Sequence, residues 1–274
     1  MPELPEVETV RRRLEPVLCG RRLERVRILD DRLTHPEAAA AVAKRLEGEQ
    51  VIGVSRRGKY LIFGLSSGAH LLVHLRMTGS FRCGENGLAA ADPHRRAVVR
   101  LDDGSDVAFR DVRRFGTWTL LGPEELEPYL DARLGPEPLE ASFTARSLRT
   151  ALSVRRCPVK SALLDQRVAA GVGNIYADEA LWHARIAPRR RSGTLTAEET
   201  RRLARSIRSV LRRGIARQGA TVRDYRDPAG EAGSMQNELS VYGQAGEPCP
   251  RCATSIERIV LSGRGTWFCP ACQR

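Results

Sequence analysis

The chain has 274 residues, enough for two domains with their own cores, and a formal charge of +12. An excess of that size favours a polyanionic partner, nucleic acid first and an acidic membrane surface second. The start is acidic and proline-rich, unlike a secretory leader, and no apolar run approaches membrane-spanning length, so a soluble cytoplasmic protein is expected.

The chain opens Met1-Pro2-Glu3-Leu4-Pro5-Glu6-Val7-Glu8. Removal of Met1 would leave the secondary amine of Pro2, which can attack an electrophilic sugar carbon and form an iminium directly. An α-amino group titrates near ~8, so burial or a neighbouring cation would make much of it a neutral nucleophile. Glu3 stands beside it as a candidate acid. The same residues also read as an ordinary helix start: Pro5 suits the first turn, Glu6 and Glu8 complement the dipole, and Val7, Val10, Leu14 and Val17 form an apolar stripe.

After this helix, which should end near Gly20, short apolar runs recur at 26–29, 51–54, 60–65, 71–75, 97–101, 107–109 and 117–121, separated by turn residues. That spacing predicts a mainly antiparallel sandwich or barrel, interrupted by one helix over roughly 36–46. Proline and glycine punctuate a linker over 122–138. Helical patterns follow at 144–152, 159–165, 175–184 and 197–218, the last with Leu203, Ile207, Val210 and Leu211 on one face and arginines on the other. Residues 219–233 are polar and glycine-rich and read as a mobile loop. The expected division is 1–132, an N-terminal β-sandwich domain; 133–243, a helical domain with the loop; and 244–274, a small terminal module.

That module carries the strongest local motif: Cys249 and Cys252, sixteen residues, then Cys269 and Cys272. Two such knuckles supply four thiolates for one tetrahedral zinc, with a hairpin at Ser262-Gly263-Arg264-Gly265. A closed ligand set makes the metal structural, and its binding can fold a module too small for its own core. Cys19, Cys83 and Cys157 are scattered, which suits a reducing compartment better than a disulfide framework. Among 45 basic residues only Lys44, Lys59 and Lys160 are lysine. A lysine kept where arginine is the rule can be one whose proton must move.

Other segments carry chemistry less specifically. Gly171-Val172-Gly173-Asn174 permits close backbone approach to an anion at a helix start, or a tight turn between packed helices. Arg56-Arg57-Gly58-Lys59-Tyr60 reads as a basic hairpin. In Asp111 to Gly116 an aromatic beside two arginines could act as a wedge that fills the gap left by an extruded base, while Met77, within His74 to Gly79, reads as a core methionine.

Taken together, PELPEVET, RRGKYL, HLRMTGS, DVRRFG, QRVAAGVGNIYADEAL, VYG and the cysteine knuckles resemble the bacterial formamidopyrimidine-DNA glycosylases over essentially the whole chain and in that family's order. The resemblance implies an α+β, multidomain protein: an N-terminal antiparallel β-sandwich with flanking helices, a helix–two-turn–helix domain and a zinc-ribbon hairpin, with DNA across the cleft. It implies a bifunctional glycosylase and abasic-site lyase acting as a monomer on damaged double-stranded DNA in the bacterial nucleoid. Pro2 would be the Schiff-base nucleophile, Glu3 the acid, Lys59 a group acting on the sugar or its phosphate, and Arg264 a phosphate grip supporting δ-elimination. Met77, Arg113 and Phe115 would form the wedge. His94, Arg113, Arg155 and Asn174 match DNA contacts, followed by His74, Lys160 and Tyr242.

Val112 stands where the family often has proline, and Glu231 to Met235 where its damaged-base loop often has Lys-Pro-Gly-aromatic. The similar endonuclease VIII branch usually begins PEGPE; Leu4, Met77 and Phe115 favour the oxidised-purine branch. An enzyme for oxidised pyrimidines and a non-catalytic DNA-binding zinc protein remain the alternatives.

Overall fold

The computed structural model describes residues 1–85, 92–222 and 225–274. Contacts divide the chain into two compact units, Met1–Leu130 with Gln218–Ser234, and Asp131–Arg217 with Met235–Arg274. The long loop expected over 219–233 thus packs with the first unit; residues 223 and 224 of it lie outside the described residues.

In the first unit, helix α1 (Leu4–Leu18) starts with a capping box between Glu3 and Glu6, with Pro5 in its first turn. Its buried face is Val7, Val10, Leu14 and Leu18. Strands β1 (Leu23–Ile28), β5 (Ser80–Glu85), β6 (Arg95–Leu101) and β7 (Ser105–Arg110) form one antiparallel sheet in the order β1-β6-β7-β5. Strands β2 (Val51–Arg57), β3 (Tyr60–Leu65), β4 (His70–His74) and β8 (Thr117–Leu121) form the other, in the order β2-β3-β4-β8. Side chains from α1 and both sheets meet in one core, where Phe81 packs against Phe63, Phe109 and Trp118. Helix α2 (Ala39–Leu46) lies on β1, and α1 on β2. The expected sandwich is therefore present. Strand β5 and the short helix α3 (Leu126–Asp131) are additions to the sequence reading.

In the second unit, α4 (Ala145–Ser153), α5 (Val159–Leu164), α6 (Asn174–Ala184) and α7 (Ala197–Ala216) coincide with the four expected helical segments to within two residues at each end. Helix α7 opens with a Thr196–Glu199 capping box and sinks Leu203, Ile207, Val210 and Leu211. Helix α6 is buried nearly all round, packed against α5, α7 and β10 (Arg264–Phe268), which pairs antiparallel with β9 (Glu257–Leu261). Ser262 and Gly263 both take positive φ, at 48° and 73°, so a two-residue turn joins the hairpin and presents Arg264 at its start.

Candidate catalytic and nucleic-acid-binding site

The amino-terminal residues are held at the start of α1. Pro2 and Glu3 are buried, and the Glu3 backbone N–H donates to Glu6 Oε2 at 2.8 Å. The other Glu6 oxygen accepts from the Ala220 N–H at 2.7 Å, and the Tyr225 hydroxyl donates to the Glu6 carbonyl at 3.3 Å. One carboxylate therefore ties the segment around 220 to the residue beside Pro2. A second anchor is Asp227, which accepts from Arg13 Nε at 2.9 Å and from the backbone of Ala229 and Glu231, while its carbonyl accepts from Arg82.

Lys59 is the second residue of the tight turn between β2 and β3 and is 5% exposed. A charged chain fixes that turn to α1. Glu8 accepts from Arg56 Nε at 3.1 Å, and Arg56 Nη1 donates to the Gly58 carbonyl at 2.9 Å, one residue before Lys59. Burial alone would raise the Glu8 carboxyl, but hydrogen bonds from Arg11, Arg12 and Arg56 outweigh it and hold it below the ordinary carboxylate range. His74, opposite Tyr60 in the β3–β4 ladder, is buried; desolvation, then the charges of Arg76 and Lys59, push it down to about 3. It is a neutral imidazole at cellular pH, accepting the Arg76 N–H on Nδ1 at 2.9 Å.

The expected wedge residues converge. Arg113 Nη1 lies 2.9 Å from the Met77 sulfur and its guanidinium sits 5.0 Å from the Phe115 ring centre. Met77 and Phe115 are 39% and 51% exposed, beside the Arg113 guanidinium. The brace is the buried Asp111, a residue that sequence reasoning passed over. Its carboxylate takes the Thr78 hydroxyl and the backbone N–H groups of Arg113 and Gly116, and its own N–H donates to the His94 carbonyl. A Cβ on Gly116 would meet Phe109 at 2.8 Å, so only glycine lets this loop close onto the core.

In the second unit Arg264 is exposed, while Arg155, Asn174 and Lys160 are engaged with other parts of the unit. Arg155 donates to Asp165 at 2.8 Å and to the Ala151 carbonyl. Asn174 Nδ2 donates to the Gly265 carbonyl at 3.0 Å. Lys160 is fully buried, with Nζ 2.8 and 2.9 Å from the two Asp178 oxygens, and it donates to the Gly265 carbonyl and Thr266 Oγ1. Burial pushes the Asp178 carboxyl up to about 7 against the pull of Lys160. Glu179, the next residue, accepts the N–H groups of Ser240, Val241 and Tyr242, and the Tyr242 ring packs 4.4 Å from that of Trp267. Neither acid was legible as a partner in the sequence, since each partner lies 18 or more residues away.

Sγ atoms of Cys249, Cys252, Cys269 and Cys272 all lie within 4.8 Å of one another. Four thiolates about 2.3 Å from a common centre need a spacing of this order, so the set fits one structural zinc with no position left for substrate. Among the described residues, no helix is long and apolar enough to cross a membrane.

Comparison with known proteins agrees with this geometry. The family model for the formamidopyrimidine-DNA glycosylase N-terminal domain matches residues 1–118, that for its H2TH domain 134–226, and that for a zinc finger found in FPG and IleRS 246–274. A formamidopyrimidine-DNA glycosylase of Symbiobacterium thermophilum is 50% identical, over 100% of this chain and 89% of its own. A Lactococcus lactis FPG mutant solved with DNA containing Fapy-dG superposes with a TM-score of 0.94 at 39% identity, covering 100% of both chains. The Lactococcus lactis enzyme on DNA with an abasic site gives 0.93 at 39% identity, covering 99% of both.

Proposed function

The chain belongs to the formamidopyrimidine-DNA glycosylase family, and from that premise we propose that it excises oxidised purines, 8-oxoguanine and formamidopyrimidines, from duplex DNA and then cleaves the strand at the abasic site. The observation that carries the reading is the exposed Met77–Arg113–Phe115 cluster, an apolar and cationic wedge held rigid by Asp111, which the fold itself does not need. Filling a vacated base stack uses such a surface.

In this reading, loss of Met1 frees the Pro2 nitrogen. It bonds to C1′ of the lesion nucleotide as the base departs with a proton, and the sugar ring opens with Glu3 as proton donor, leaving an iminium. The iminium acidifies the C2′ proton, whose removal expels the 3′ phosphate; loss of the C4′ proton then expels the 5′ phosphate. Lys59 acts on the sugar or its flanking phosphate in the first elimination, and Arg264 steadies phosphate in the second. Zinc, bound by the four cysteines, supplies folding and no bond-making step. His94, Arg113, Arg155 and Asn174 are read as DNA contacts. Tyr242 and the neutral His74 would contribute shape and hydrogen bonds rather than charge. The enzyme would work as a monomer in the bacterial cytoplasm, on the nucleoid, with strongly salt-dependent binding.

Paired duplexes test the substrate choice. Release of 8-oxoguanine opposite cytosine should outpace release of an oxidised pyrimidine from the same sequence. The reverse order would transfer the enzyme to the pyrimidine reading, and binding without release from either would favour a non-catalytic scaffold.

A further inference from the structure

Lys160 has the wrong surroundings for a DNA contact. It is 0% exposed, and its ammonium donates to the Asp178 carboxylate, to the Gly265 carbonyl at 2.8 Å and to Thr266 Oγ1 at 2.9 Å. Asp178 in turn accepts the Trp267 N–H at 3.1 Å, and Asn174 Nδ2 donates to the same Gly265 carbonyl. Three consecutive residues of β10 are therefore gripped from α5 and α6, starting with the one immediately after Arg264. An ammonium places three donors tetrahedrally, whereas a planar guanidinium could not serve this trio, which accounts for a lysine in a chain that uses arginine nearly everywhere. The turn has one side-chain hold of its own, Ser262 Oγ lying 2.8 Å from Ser161 Oγ, while Arg264 itself is exposed.

We propose that Lys160 and Asp178 are positioning residues, a buried clamp that sets the register and direction of the hairpin start so that Arg264 meets phosphate in the second elimination. The proposal rests on the lyase reading above for its consequence, but not for the clamp. Asp178 acts through Lys160 and the Trp267 amide, and Asn174 adds a fourth hold on the strand.

The test uses full-length, zinc-loaded protein with two variants. Lys160→Met strips the clamp but leaves Asp178 buried alone; Lys160→Met with Asp178→Asn removes both charges and protects the fold. Amide exchange at residues 262–267 should quicken at least about ten-fold in the double variant, with α7 amides unchanged. On an abasic duplex, the ratio of δ- to β-elimination product should fall by about ten-fold or more, approaching that of Arg264→Ala. Adding Arg264→Ala to the double variant should lower the ratio no further. Being a ratio within one reaction, it does not move when some of the enzyme is merely inactive. Parental exchange at 262–267 overturns the clamp. Faster exchange with a parental product ratio overturns its service to Arg264. If the parent itself forms no Pro2 adduct, the lyase reading fails, and the exchange data judge the clamp alone.

Discussion

Two charged chains in this molecule do similar work in different settings. On α1, Glu8 pairs with Arg56, which grips the carbonyl of Gly58, the neighbour of Lys59. On α6, Asp178 pairs with Lys160, which grips the carbonyl of Gly265, the neighbour of Arg264. Each fixes a turn beside a cation assigned to the chemistry. Glu8, however, is shared by Arg11, Arg12 and Arg56 and is held ionised, whereas Asp178 pairs with one cation among the described residues, Lys160, and has a carboxyl raised by burial. The first chain is redundant and partly wetted. The second is a dry pair, strong only while both members remain.

The comparison can be broken at its largest support first. Chelating the zinc should unfold 246–274, because metal binding of about 10–16 kcal/mol is what a module of this size has in place of a core. Amide exchange should then rise throughout that module while the β-sandwich amides keep their protection; a persistent hairpin would show that the clamp alone suffices. Lys160→Met should cost about 3–5 kcal/mol in denaturant unfolding by leaving Asp178 without its cation, and Asp178→Asn should restore most of it. Arg56→Met should cost about 1.5 kcal/mol, since Arg11 and Arg12 still hold Glu8. Equal losses in the two variants would erase the distinction between the chains.

A pH dependence beside Lys59 tests the first unit separately. His74 has a folded pKa of about 3, below its unfolded value near 6.5, so the unfolded chain takes up the proton first. Its contribution is complete above pH 6.5 and shrinks as pH falls towards 3, by about 1.4 kcal/mol per unit. Unfolding midpoints measured at pH 7 and 5 should differ less in His74→Gln than in the parent.

Much of this was legible from residue patterns. Short apolar runs between turn residues placed seven of the eight described sandwich strands, apolar stripes placed the long helices, and cysteine spacing placed the metal site. Strand β5 escaped because Ser80 to Glu85 mixes glycine and charge, and only pairing with β7 makes it a strand. The wedge was legible as a set of side chains, but its support was not: Asp111 reads as a turn residue until its carboxylate is seen holding both loops. Lys160 shows the same limit from the other side. A motif marks a position as needed, and only burial shows whether it meets a ligand or holds its neighbour. The attachment of Ala220 to Glu6, 214 residues apart, is likewise a product of packing that no local pattern encodes.

The central claim is that Pro2 becomes the nucleophile. Borohydride treatment of the protein on a duplex with one 8-oxoguanine opposite cytosine converts a transient iminium into a stable amine, and mass mapping then locates it. The account predicts a single adduct on Pro2 of chains that have lost Met1. A duplex that is bound and cleaved while the adduct sits on another residue, or that is bound with no adduct at all, would contradict it.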